Sequence, residues 1–173
     1  MSKKTLYEGK FKRLVEKDGW EYIERVNCCG IVAMLPVTDD GKVILVEQYR
    51  VPLARKTIEF PAGLADGANT NQSEESLEEA ANRELIEETG YSAGKMIFVS
   101  NGAISGSSSS DVMTVFRATG LKKVGNGGGD QTENITVHEV PLKEIDAWLM
   151  QKSKEGFLVD HKVYAGLYVL KNS

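Results

Sequence analysis

A chain of 173 residues is long enough for one domain with a substantial core and short for two. At 41% hydrophobic and 27% charged residues, with mean hydropathy −0.28 and no apolar run near the ~20 residues a bilayer span needs, its composition excludes a helical membrane protein. A net charge of −4 without any long Lys/Arg cluster argues against a nucleic-acid binder, although an acidic chain can hold an anion where bound cations reverse the local field.

Met1-Ser2-Lys3-Lys4 begins like a signal segment, but Thr5–Lys10 has no apolar stretch, so a cytoplasmic protein is expected. Residues 5–15 and 20–26 read as a pair of strands around Lys17-Asp18-Gly19. Adjacent Cys28 and Cys29 are poorly placed for a disulfide or a metal, and they are expected as core thiols. Ile31–Val37 and Val43–Tyr49 form a second strand pair, joined by Thr38-Asp39-Asp40-Gly41-Lys42. A polar loop is expected from Ala65 to Gln72. Strands follow at Met96–Ser100, Val112–Ala118 and Ile135–Val140, separated by flexible loops at Ser105–Ser110 and Gly125–Gly129. Two helices, about 142–152 and 157–170, close the chain. His138 alternates with apolar residues and reads as structural. Without a regular βαβ alternation, the class is α+β or a sandwich of helices around a mixed sheet.

The clearest helix spans 76–90. Ser76 with Glu79 forms a capping box, and Gly90 suits the left-handed C-terminal position. At roughly 100° per residue, Leu77, Ala81, Glu84 and Glu88 share one face. A solvated acidic face is the plain alternative. Against it, these carboxylates occupy the apolar stripe, where desolvation without a partner costs several kcal/mol. Glu84, Glu87 and Glu88 together suit a hard cation such as Mg²⁺. Arg83 stands four residues before Glu87, where an ion pair forms readily.

Gly63, Glu75 and Arg83-Glu84-Leu85-Ile86-Glu87-Glu88-Thr89-Gly90-Tyr91 together resemble the Nudix box. Everything from Glu75 onward matches at each defined position. The departure is in the first half, where eleven residues instead of five separate Gly63 from Glu75, a lengthening that falls in a loop. The resemblance implies an α/β/α sandwich with a mixed sheet, residues 31–173 forming the Nudix domain and residues 1–30 a strand pair used in dimerisation. It also implies Mg²⁺ (about two or three ions, replaceable by Mn²⁺) on Glu84 and Glu88, with Glu87 as a further ligand or orienting group. Arg83 would pair with a helix carboxylate, and Ala62 would offer its carbonyl to a metal. Water would attack one phosphorus of a diphosphate.

Glu47-Gln48-Tyr49-Arg50 and Glu59-Phe60-Pro61-Ala62-Gly63-Leu64 are similar to a segment shared by ADP-ribose pyrophosphatases and nucleoside diphosphate sugar hydrolases. This similarity makes Arg50 the expected diphosphate clamp and Arg55 a second candidate. Glu59 would reach metals or substrate, or form a structural ion pair. A homodimer is implied, with a nucleobase near its interface, where Trp20, Tyr7 and Phe11 are the available rings. Asp160-His161-Lys162 resembles the Asp-x-Lys element of GDP-mannose-type enzymes. It shifts the expectation toward nucleoside diphosphate sugars over ADP-ribose alone. Two residues apart on a helix, Asp160 and Lys162 are not expected to pair with each other.

Relatives often carry a catalytic Glu on a late loop. Here Asp130-Gln131-Thr132-Glu133 occupies that stretch. Glu133 can take a proton, whereas the Gln131 amide cannot. Three readings are open: Glu133 is the base, the enzyme is slow, or Gln131 stands where an isosteric Glu was replaced. The third is favoured slightly, because every other element for turnover is present. The rival of another class is a Nudix fold that senses a nucleotide without cleaving it.

Overall fold

The computed structural model describes residues 2–66, 75–129 and 133–172. Its elements in chain order are β1 (Lys4–Glu8), β2 (Lys12–Lys17), β3 (Trp20–Arg25), β4 (Cys28–Pro36), β5 (Lys42–Arg50), β6 (Arg55–Glu59), β7 (Ala62–Asp66) and α1 (Leu77–Thr89). There follow β8 (Tyr91–Ser92), β9 (Lys95–Ala103), β10 (Val112–Thr119), β11 (Lys122–Lys123), β12 (Ile135–Pro141), α2 (Ile145–Lys154), β13 (Leu158–Val159) and α3 (His161–Lys171).

Two four-stranded sheets form the centre, in the orders β7-β4-β10-β9 and β12-β5-β6-β13. Both are mixed: β10 runs parallel to β4 but antiparallel to β9, and β13 runs parallel to β6 while β5 is antiparallel. Strand alternation sorts the side chains into two cores. Val32, Met34 and Ile44 pack with Ala80, Ala81 and Leu85 of α1. Leu35, Val43 and Leu45 face Ile145 and Leu149 of α2 and Val163, Leu167 and Leu170 of α3. The result is an α/β/α sandwich with α1 on one side and α2 with α3 on the other. Gly166 makes the α3 packing close, since a β-carbon there would meet Phe60 at 2.4 Å and Leu35 at 2.6 Å.

Several expectations are corrected. The N-terminal region is a sheet of three strands, because the chain turns at Gly9, whose amide donates to the Lys12 carbonyl at 2.9 Å. Ala65 and Asp66 belong to β7, where they pair with β4, and the remainder of the expected polar loop, 67–72, lies outside the described residues. Cys29 is exposed and Cys28 only half-buried; the register shifts between Cys28, paired with Asp66, and Gly30, paired with Ala65, which leaves Cys29 without a partner position on β7. Residues 157–160 are not helical, since β13 pairs with β6 before α3 begins at His161. Neither expected flexible loop is detached. Residues 105–110 hook onto β3 through Ile23 N–H to Ser108 O at 2.9 Å, and residues 124–129 bond to the end of α1.

Candidate active site

The capping box starts α1 as its sequence requires: Ser76 Oγ accepts from Glu79 N–H, and the Glu79 carboxylate accepts from Ser76 N–H at 2.9 Å. Gly90 ends the helix at φ 73°. Between them, Ala80, Ala81 and Leu85 turn inward, and Glu88 turns inward with them, only 3% exposed. Its carboxylate accepts the Ala62 N–H at 3.2 Å. Burial, followed by the charge of Glu133 and, more weakly, that of Glu84, pushes the Glu88 pKa up to about 8 against the pull of Ala62 N–H and Arg50.

One turn earlier, Glu84 is also raised by burial, opposed by Arg83. It accepts Leu64 N–H at 3.2 Å and Arg83 Nη1 at 2.9 Å. Gly63 permits this approach, because a β-carbon there would lie 1.9 Å from Glu84 Cδ. Arg83 grips Glu75 with two donors at 2.9 and 3.1 Å, which raises its pKa, and it reaches Glu87 at 3.3 Å and the Leu64 carbonyl at 2.9 Å. Its principal partner is thus Glu75, just before the helix, and not a helix carboxylate alone. Glu87 is the most exposed of the three helix acids at this site.

The opposite wall comes from one face of β5 and β6. Gln48 and Arg50 alternate with Glu47 and Tyr49, so the former look toward α1 and the latter do not. Arg50 donates Nε and Nη2 to Glu59, each at 2.8 Å, and Thr57 Oγ1 donates to the same carboxylate at 2.5 Å. Burial works against ionisation of Glu59, but the Arg50 and Thr57 bonds hold its pKa below the usual range. Two of the five Arg50 N–H groups are therefore committed to Glu59. Arg50 and Glu133 also feel each other's charge. Gln48 Nε2 donates to Glu133 Oε1 at 3.2 Å. On the other face, Glu47 bonds Lys56 at 2.7 Å and contacts His138 Nε2 at 3.0 Å, in keeping with a structural His138.

Glu84, Glu88, Glu133, Arg50 and Glu59 thus converge, with Glu87 and Arg83 at the rim. Asp130 and Gln131 lie outside the described residues. Ala62 is present through its N–H on Glu88. Arg55 is exposed at the β5–β6 turn, opposite Arg50 in register. Trp20 sits, 63% exposed, at the β2–β3 turn, in a groove with Lys17, Tyr22 and Ser107. Asp160 is brought close enough to Glu59 for their charges to repel. The expectation for Asp160 and Lys162 is corrected: Asp160 is the N-cap of α3, not a helical residue, and its carboxylate accepts both the Lys162 N–H at 2.8 Å and the Lys162 ammonium. Residues at the cap and second helical position meet, although two residues within a helix would diverge.

The donor set suits a hard divalent cation. Carboxylate oxygens from Glu84, Glu88 and Glu133 face a region where like charges already repel, and the missing side chain of Gly63 is what lets the Glu84 carboxylate occupy its place there. Among the described residues no three acids are drawn into one ligand sphere, since Glu84 is turned onto Arg83.

Residues 30–160 match the NUDIX domain. The chain belongs to the Nudix family. It is 38% identical over 127 residues to an ADP-ribose pyrophosphatase of Bacillus subtilis, covering 73% of this chain and 64% of that protein. It is 32% identical over 143 residues to a methanol dehydrogenase activator of Bacillus methanolicus, covering 82% and 72%. A GDP-mannose pyrophosphatase of Pectobacterium atrosepticum is 29% identical over 140 residues, covering 74% and 69%. The alignments thus span about two thirds of these relatives' own lengths. Among solved structures, an ADP compounds hydrolase superposes with TM-score 0.73 over 99% of this chain and 91% of that one, at 22% identity, which establishes the shared Nudix fold.

Two contacts at this site are ones that the sequence reading does not assign. Gln48 is visible within Glu47-Gln48-Tyr49-Arg50, and strand parity with Arg50 is the signal that could have placed it. The glycine segment 125–129 reads as a flexible linker until its bonds to α1 are seen.

Proposed function

We propose that this Nudix protein hydrolyses the pyrophosphate bond of a nucleoside diphosphate sugar, of which ADP-ribose and GDP-mannose are the two leading candidates, in a Mg²⁺-dependent reaction. The observation that carries it is the burial of Glu88 beside Glu84 and Glu133, an anionic cluster that a cation would relieve. When bound by Glu84 and Glu88, with Glu87 completing the set, Mg²⁺ would neutralise the diphosphate and lower the pKa of water. Arg50, held rigid by Glu59, offers its remaining N–H groups to a phosphate oxygen. Glu133 accepts the proton from the attacking water. Arg83 keeps Glu84 in place while Glu75 holds Arg83. The products are a nucleoside monophosphate and a sugar phosphate.

The names of the pyrophosphatase relatives support this class of substrate. Asp160, already tied to Lys162, favours neither of the two candidates, so that element carries little weight between them. We further propose that residues 1–30 form a dimerisation unit: Leu6, Tyr7, Phe11 and Trp20 are all exposed there.

The test is Mg²⁺-dependent release of nucleoside monophosphate from ADP-ribose, GDP-mannose, other nucleoside diphosphate sugars and nucleoside triphosphates, by the parent and by Gln131→Glu. Turnover by the parent, lost in Glu133→Gln, supports the proposal. A gain of about a hundredfold in Gln131→Glu would move the base to that position. Tight binding with no turnover by either protein would replace the hydrolase with a sensor.

A further inference from the structure

Glu133 lies just before β12, on a loop, where a group that moves a proton would ordinarily be poorly fixed. Two features hold it here. From the sheet, Gln48 is 7% exposed and spends an amide N–H on Glu133 Oε1 at 3.2 Å. From the loop, a run of glycines fastens the chain onto the end of α1. Gly128 N–H donates to the Glu88 carbonyl at 2.9 Å, Gly129 N–H to the Glu87 carbonyl at 3.0 Å, and Ile135 N–H to the Gly128 carbonyl at 3.1 Å.

The glycines are required at this contact. Gly127, Gly128 and Gly129 have φ of 69°, 114° and 82°, which side chains rarely adopt. A β-carbon on Gly127 would lie 2.4 Å from the Thr89 backbone, and one on Gly129 would lie 2.6 Å from Glu133 Cβ. The helix that presents Glu87 and Glu88 therefore also anchors, through the main chain of those two residues, the loop that presents Glu133.

We propose that Gln48 is a positioning residue for Glu133: with the loop anchored on α1 from one side, the Gln48 amide fixes the carboxylate from the other, facing Glu88, before any substrate arrives. This rests on the reading of Glu133 as the base. Neutral Gln suits the task, because it donates a hydrogen bond without neutralising the carboxylate as Lys or Arg would.

The test uses Gln48→Met, of similar length but without a donor, alone and combined with Glu133→Gln. Two readouts are taken on the full chain: amide exchange at Gly128, Gly129 and Ile135, with α1 as internal reference, and steady-state hydrolysis of ADP-ribose and GDP-mannose with Mg²⁺. Faster exchange at those amides, a loss of about tenfold or more in kcat with KM within about twofold, and no further loss in the double variant are expected. Additive losses, a rise in KM with kcat unchanged, or unchanged exchange would overturn the proposal. Should Glu133→Gln retain full kcat, the assignment of the base fails. The exchange readout then still decides whether Gln48 secures the loop.

Discussion

Gly63 lies directly against the carboxylate of Glu84, so closely that a β-carbon would come within 1.9 Å of Cδ. The atom displaced by such a carbon is the end of a flexible side chain, not backbone. Gly63→Ala is therefore expected to leave the fold intact while turning Glu84 out of its place. The metal-free Tm should change by no more than a few degrees, and kcat should fall by about a hundredfold or more. A normal kcat with a lowered Tm would show that Gly63 serves packing only.

Glu88 makes stability depend on pH in a defined direction. Its folded pKa is raised from 4.5 to about 8, so folding favours the protonated form. The resulting penalty is absent below 4.5, grows as pH rises from 4.5 to about 8, and is constant above. Metal-free protein should lose stability to urea across that window, and Glu88→Gln should lose less. Added Mg²⁺ should stabilise the parent most at the upper end of the window, where binding need displace no proton. A parent and variant with the same pH dependence would refute this.

For Glu59 the sign is opposite. Arg50 and Thr57 hold its pKa low despite burial, so the pair stabilises above the unfolded carboxylate pKa and that contribution is lost as pH falls through the lower folded value. Glu59→Ala leaves a half-buried guanidinium without its fork. A loss of about 1–3 kcal/mol is expected in urea denaturation, the lower end reflecting the 40% exposure of Arg50. Arg50→Lys cannot reproduce the paired donors and should raise KM for the diphosphate substrate; an unchanged KM would remove Arg50 from substrate binding.

Ser76→Ala removes the side-chain half of the capping box at the start of α1. It should cost about 1 kcal/mol in chemical denaturation and leave kcat unchanged, because the carboxylates lie two and three turns further on. A large loss of kcat would show that fraying of the first turn reaches Glu84.

The acidic helix is legible in the sequence for local reasons. The capping box, the glycine stop and the helical period place Glu84 and Glu88 on the apolar stripe whatever surrounds them. Strand alternation likewise puts Arg50 and Glu59 within reach of the same face. Relations set by chain reversal or by parity across distant strands are not legible. Nothing local shows that Arg83 would choose Glu75, that Asp160 would cap α3 and so meet Lys162, or that Cys29 would lie exposed at a break in register. Gly125–Gly129 is the sharpest case. Composition says flexible, because glycine disfavours any single backbone state, but the carbonyls left over at the end of α1 select one state and bind it. Local periodicity thus placed Glu84 and Glu88 together on the apolar face of α1. Which residues meet across the site was decided by long-range closure, because a hydrogen bond between Gln48 and Glu133 depends on β5 and β12 pairing across the 85 positions that separate the two residues.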